Sequence, residues 1–353
     1  MKKISLLASR LLTLLLVVGS LGLLNGCKNN NDDTTVYGDW TKGSSFAGVA
    51  RSGSATFTIN NIAYVATGID QNSNRYNDLW SFNPATGSWT QLKDFPGVAR
   101  YNAVAFSAGG KGYVGTGYDG ANYLGDFYEY TPSTNTWRKV ADLPTVSGIT
   151  GRTGALAGSV NDLGYVGCGY NGNYLKDFYR YTPSTTATGL GTWSTFAGFP
   201  GDKRQGGVAF TISNQLYVGT GTNNGTNATD FWSYDPQKDM WTQHRYLANI
   251  SNSTESYDYS AVARVNAVAF VVNNLGFVAT GASVNAGSVR TDCYVYDPLA
   301  DTWTLKNPFP STFAGRTSGV AFGIGDFGYV GLGNSGSTRF DDFWKFAPDA
   351  AQE

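Results

Sequence analysis

Hydrophobic and polar positions alternate with a period of two over most of the chain, in short runs. Between Asp230 and Tyr234 aromatic residues alternate with polar ones, and between Asn102 and Phe106 small residues alternate with Val104 and Phe106. Period-two runs rich in β-branched and aromatic residues predict strands, and no run shows the 3.6-residue period of a helix. Pairs that accept positive φ separate some runs: Asn60-Asn61, Gly109-Gly110, Asn161-Asp162 and Asn273-Asn274. Such pairs predict tight hairpins. Thr131-Pro132 and Asp235-Pro236 separate others, where proline presets φ for a type I turn.

The runs recur as a repeat. Trp40, Trp89, Trp137, Trp193, Trp241 and Trp303 mark its period. Each unit opens on an arginine: Arg51, Arg100, Arg152, Arg204, Arg264 and Arg316. Thirteen residues later stands an aromatic followed by Val, and four beyond it a Gly, from Tyr64 and Gly68 to Tyr329 and Gly333. An Asp follows (Asp78, Asp126, Asp177, Asp230, Asp292, Asp342), with Pro six residues after it each time. Each unit therefore reads as strands a, b, c and d, with small residues on strand a where radially arranged sheets crowd together.

A four-stranded unit of about 50 residues matches the kelch propeller period. On the Arg, Tyr-Val, Asp, Pro and Trp marks, residues 39–349 resemble bacterial kelch-repeat propellers of the galactose oxidase/kelch-like superfamily. The resemblance implies an all-β, six-bladed propeller of four-stranded antiparallel blades. The kelch double glycine is altered here to Thr67-Gly68, Cys168-Gly169 or Leu332-Gly333. Trp40 begins a strand d before any strand a, and the chain runs out after strand c near Pro348. The N-terminal strand is therefore expected to complete the last blade and remove an open edge.

Composition narrows the chemistry. Charged residues are 14 %, against 45 Gly, 22 Tyr, 20 Phe and 9 Trp, which excludes coiled coils and disordered acidic chains. With 25 Lys plus Arg against 26 Asp plus Glu, no basic footprint for nucleic acid exists. One His and three Cys leave no set of metal ligands, and no cofactor is expected. Cys168 and Cys293 lie in non-adjacent units, so they read as small buried residues rather than a disulfide. His244 reads as a surface residue.

The N-terminus carries an address. Lys2 and Lys3 precede an apolar run from Leu11 to Gly26, short for a membrane span and fitting for a secretory signal. Leu24-Asn25-Gly26-Cys27 resembles the bacterial lipobox, which implies lipidation at Cys27. The expected organisation is a signal peptide at 1–26, a lipidated tether at 27–38, the propeller at 39–349 and a tail at 350–353. Lys28 stands where an inner-membrane retention mark would need Asp. An outer-membrane lipoprotein follows, periplasmic or surface-exposed, held to the membrane only through its lipid anchor and expected to be monomeric.

Loop lengths place the ligand. From each Trp to the next Arg the spacings are 11, 11, 15, 11, 23 and 13 residues, so variation gathers on the face of the d–a and b–c connections, where binding loops are expected. That face carries Tyr118, Tyr123, Tyr170 and Tyr174, and the long connection adds Arg245, Tyr246, Glu255, Tyr257 and Tyr259. The stretch from Leu247 to Val262 is expected to be a free loop leaning over the channel mouth. Tyrosine suits sugar rings or a protein partner. The six repeat arginines and the six repeat tryptophans read as structural, although a guanidinium ring also suits an anionic ligand. The favoured function is non-catalytic binding of a glycan or an envelope or extracellular protein. The alternative is the sugar mutarotase implied by resemblance to the N-acetylneuraminate epimerase propeller, with Glu255 as acid–base group. Galactose oxidase chemistry is rejected, because its copper site needs two His and only His244 is present.

Overall fold

The computed structural model describes residues 38–349 apart from 146, 147, 149, 150, 285 and 286. The leader, Cys27 and the tether through residue 37 lie outside the described residues, as does the tail from residue 350. Six four-stranded antiparallel sheets form the blades. Blade 1 runs Ala55–Ile59, Ile62–Ala66, Leu79–Asn83 and Ser88–Gln91 as strands a to d. The last blade joins Val320–Ile324, Phe327–Gly331 and Phe343–Ala347 to the N-terminal strand Asp39–Lys42, with Trp40 opposite Phe346. Trp40 is buried, stacks on Phe309 at 3.6 Å and donates its indole N–H to the Asn307 carbonyl.

Turn chemistry follows the sequence closely. In five of the six a–b hairpins both central residues hold positive φ, as at Asn60 (50°) and Asn61 (61°). Strand a begins later than its alternation implies: Asn102 lies outside Val104–Ala108 because its φ is 51°. Asn102 belongs instead to a ring at the channel mouth. There Gly53, Asn102, Gly154, Gly206, Asn266 and Ser318 each donate a backbone N–H to the corresponding carbonyl of a neighbouring blade, at 2.7–3.2 Å. Behind this ring, residues at and just before the starts of the six a strands, mostly Ala and Val with Leu156, line a cavity of about 170 Å³.

Blade-to-blade packing works by matched sizes. Phe57 of strand a lies against Gly112 of the next blade's strand b, and Phe106, Phe210 and Phe270 lie in the same way against Gly164, Gly276 and Gly328. Between blades 3 and 4 the sizes are exchanged: strand a carries Gly158 and the next strand b carries Leu216, which fills the space. Cores of this density tolerate neither a void nor an extra methylene.

The repeat arginines are buried at 0–2 % exposure and bind within their own blades. Arg51 forks onto both carboxylate oxygens of Asp78 at 2.5 and 2.9 Å and also donates to the Thr67 carbonyl at 3.1 Å. Arg100–Asp126, Arg152–Asp177 and Arg316–Asp342 repeat the fork, while Arg204–Asp230 and Arg264–Asp292 keep the ion pair. The Arg51 main-chain carbonyl accepts from Gly333 of the last blade, and the other five arginine carbonyls accept equivalent N–H groups from their neighbours. The residue before each of these glycines also sits at positive φ, from 55° at Cys168 and Leu332 to 64° at Thr67. This is the position of the altered double glycine. A β-branched Thr is strained there, and the hydroxyls of Thr67, Thr116, Thr220 and Thr280 are buried without partners.

Two outcomes follow from this packing. Phe57→Gly should cost about 3–5 kcal/mol through its cavity, and Gly112→Leu about 1–3 kcal/mol through overpacking. The double variant, which copies the exchange at Gly158 and Leu216, should cost less than the two singles added, by about 1–3 kcal/mol in a denaturation cycle. Strict additivity would refute the size-matching account. The second outcome concerns acid. Burial alone would raise the carboxyl of Asp342, but its hydrogen bonds with Arg316 and Trp344 hold it below its ordinary value. Glu129, buried beside Arg138, Lys111 and Tyr113, is likewise held low against its own burial. A depressed folded value adds stability that is complete above the unfolded value of about 4 and is lost as pH falls through the folded value. The urea midpoint should be level above about pH 5 and fall steadily below about pH 4.

Candidate functional site

The b–c and d–a connections meet at one end of the propeller, and backbone bridges align three positions of each blade there. In blade 2 these are Tyr101, Tyr118 and Tyr123; in blade 3, Thr153, Tyr170 and Tyr174. The first follows the repeat Arg, the second follows the repeat Gly, and the third stands three before the repeat Asp. Blade 1 places Ser52, Ile69 and Arg75 in these positions, and blade 6 places Thr317, Asn334 and Arg339.

Tyrosines at these positions form one continuous track. Ring centroids are 5.9 Å apart for Tyr101–Tyr118, 5.2 Å for Tyr118–Tyr123, 5.8 Å for Tyr123–Tyr170 and 5.1 Å for Tyr170–Tyr174. Burial raises the Tyr123 phenol, so it stays neutral and serves as a flat surface with a hydrogen-bonding tip. The track ends in a cleft of about 180 Å³ lined by Tyr170, Gly172, Asn173, Tyr174, Lys203, Asn223 and Asn224. The b–c loops of blades 1 and 2 are stiffened by their own carboxylates. Asp70 accepts from the Asn72 and Asn74 backbone, the Asn74 amide and the Tyr76 hydroxyl at 2.8–2.9 Å. Asp119 accepts from Ala121 and Asn122 at 2.6–2.7 Å. Against burial, the bonds from Asn74, Tyr76 and Asn72 hold Asp70 below the usual carboxylate range, and those from Asn122 and Ala121 hold Asp119 low.

The long connection forms a second, separate cluster. Asn249–Ser251 pairs with Ser256–Asp258, so the expected free loop is a β-hairpin. Leu247, Tyr259 and Val262 at its base are buried among Phe231, Tyr296 and Trp303. Arg245 bonds to Asp301 through its backbone N–H and its guanidinium, which draws the connection toward the c–d turn of blade 5. None of its residues is among those lining the channel mouth. Tyr257 and Tyr259 stack on each other at 4.7 Å, the Tyr257 hydroxyl accepts the Tyr246 N–H, and Glu255 is exposed 4.0 Å from Arg245. Among the described residues no hydrogen bond or ring contact joins this cluster to the tyrosine track.

Other singled-out residues fall elsewhere. The six repeat guanidiniums are occupied by their aspartates and carbonyls inside the blades. Cys168 and Cys293 are free and fully buried, with burial pushing the Cys168 thiol up to about 12. His244 is half-buried rather than a free surface residue: it bonds to the Ser233 and Tyr296 hydroxyls at 2.8 and 3.2 Å and stacks near Tyr217. Sequence reasoning missed Tyr101, Arg75, Arg339, Lys203, Asn223 and Asn224. Aligning the six units on their aspartates would have shown Arg75 and Arg339 in register with Tyr123 and Tyr174.

The comparisons with known proteins agree with this architecture. Residues 39–197 match the family described as the KLHDC2/KLHL20/DRC7 Kelch-repeats domain. Among curated proteins none matches the chain. The solved structure of YjhT is similar at a TM-score of 0.68 and 17 % sequence identity, covering 84 % of this chain and 95 % of that one. Blade count, repeat marks and closing strand together describe a kelch-repeat six-bladed β-propeller.

Proposed function

We propose that this propeller is a glycan-binding protein of the bacterial cell envelope, and that the ligand lies on the tyrosine track. The observation that carries the reading is the unbroken contact of five tyrosines across two blades, opening into a cleft of asparagines and Lys203. Flat rings with polar tips cover the apolar faces of sugars, while amide and ammonium groups meet their hydroxyls. The blade 2 loop that carries Tyr118 and Tyr123 is held by the capped Asp119, so little ordering accompanies binding there. On a glycan array the intact protein should retain a defined set of sugars. Tyr123→Ala and Tyr174→Ala should each weaken the best of them at least about tenfold in calorimetry, roughly 1.4 kcal/mol. No retained glycan, or unchanged affinity in both variants, would refute this function.

A second reading adds catalysis: a sugar mutarotase, as the epimerase resemblance implies, with Glu255 moving the proton during ring opening. The likeness to YjhT supports it as far as a shared six-bladed fold. The separation of Glu255 from the tyrosine track favours binding without turnover. NMR of N-acetylneuraminate anomers, with intact protein and with Glu255→Gln, distinguishes the two, since only a mutarotase accelerates exchange and loses that acceleration in the variant.

The envelope location rests on the lipobox resemblance at Leu24-Asn25-Gly26-Cys27. Cells fed labelled palmitate should label the parent, and Cys27→Ser should move the protein from the membrane to the soluble fraction. An unlabelled parent, or a variant that stays in the membrane, would overturn the anchor.

A further inference from the structure

The register position three before each repeat Asp has a property that the tyrosines alone do not show: its side chain reaches over to the next blade. Tyr123 of blade 2 meets Tyr170 of blade 3, and Tyr174 of blade 3 shares its cleft with Asn223 and Asn224 of blade 4. Arg75 of blade 1 lies against Gly120 of blade 2 in the same manner, and Arg339 of blade 6 feels the field of Asp70 in blade 1. Going round the face from blade 6 to blade 3, the series is therefore two guanidiniums followed by two phenols. Blades 4 and 5 put the neutral Asn227 and Val289 in this position. The face is thus polarised along one arc.

Neither arginine is neutralised. Among the described residues neither has a carboxylate within 4.0 Å. Asp70, whose field reaches Arg339, and Asp119, which feels Arg75, have their oxygens engaged by loop amides. Among the described residues the buried Nε of each arginine has no hydrogen-bond partner, and Arg339 donates only through Nη1, to the Gly336 and Ser337 carbonyls. An unpaired guanidinium binds planar anionic groups through its paired donors. From the blade 2 loop against which Arg75 lies, the tyrosine rings follow at 5.2, 5.8 and 5.1 Å, each step close to the length of one pyranose unit.

Resting on the glycan-binding reading, we propose that the face takes an acidic oligosaccharide lengthwise, its carboxylate or sulfate on Arg75 and Arg339 and its following sugars along Tyr118, Tyr123, Tyr170 and Tyr174. Calorimetry tests this with four probes: a tetrasaccharide containing a uronic acid, its carboxyl-reduced neutral counterpart, its sulfated counterpart, and the free uronic acid. The intact protein should bind at least one acidic tetrasaccharide about tenfold or more tighter than the neutral one, and the free uronic acid far more weakly than either acidic tetrasaccharide. Which acidic probe wins identifies the anionic group. Raising salt should shrink the preference. Arg75→Gln with Arg339→Gln should erase the preference and leave neutral binding in place, whereas Arg75→Lys with Arg339→Lys should retain part of it. Equal affinity for acidic and neutral tetrasaccharides overturns the proposal but not the glycan reading. Free uronic acid binding as tightly as the tetrasaccharide overturns the lengthwise arrangement. Failure of every tetrasaccharide to bind removes both.

Discussion

The molecule depends on one interaction made six times, the buried arginine at the start of each unit. Its guanidinium reaches the carbonyl at the end of strand b and the aspartate leading into strand c, while its main-chain carbonyl accepts the neighbouring blade's glycine N–H. In five blades its Nε also returns to the carbonyl two residues before it. One side chain thus ties the approach to strand a, the end of strand b and the entry to strand c together at that end. A charge so deeply buried is tolerable only when paired and fully bonded, so the aspartate is as necessary as the arginine. Lysine would not serve, having no planar fork.

With the frame held in this way, the loops outside it were free to diverge. The frame is conservative even where its residues change: Gly158 and Leu216 exchange sizes and leave the interblade spacing filled. Divergence is of a different kind at the position three before each aspartate. No packing requirement there makes the six blades alike, and charge, aromatic area and amides are distributed round the ring unevenly. The proposed ligand site is the sum of those departures from six-fold symmetry.

How much of this was legible in sequence follows from the same division. Spacings set by the frame repeat identically, so blade number, strand order, turn residues and the closing role of Trp40 could be read directly. The alternation does not show where strand a starts, because the backbone of Asn102 leaves β geometry to join a ring made only between blades. The Leu247–Val262 connection looks free in sequence because its length announces an insertion but not what covers it; the anchoring partners, Asp301 and the Phe231 core, are remote in sequence. Individual tyrosines of the track were identifiable by type and face. Their contact, and the place of Arg75 against Gly120 of the next blade, depend on side chains crossing from blade to blade, which no single unit encodes.

Closure by the N-terminal strand also decides where the molecule bears load. Asp39–Lys42 is only four residues long, and its first pair, Asp39 with Ala347, is where the chain enters the propeller. Tension on the N-terminus would reach this ladder before any other part of the fold. Its resistance lies less in the ladder than in Trp40, clamped between Phe309 and Phe346 and tied to the Asn307 carbonyl. Drawing that indole out would expose the edge of the last blade. The seam that makes the ring continuous is thus its mechanical fuse.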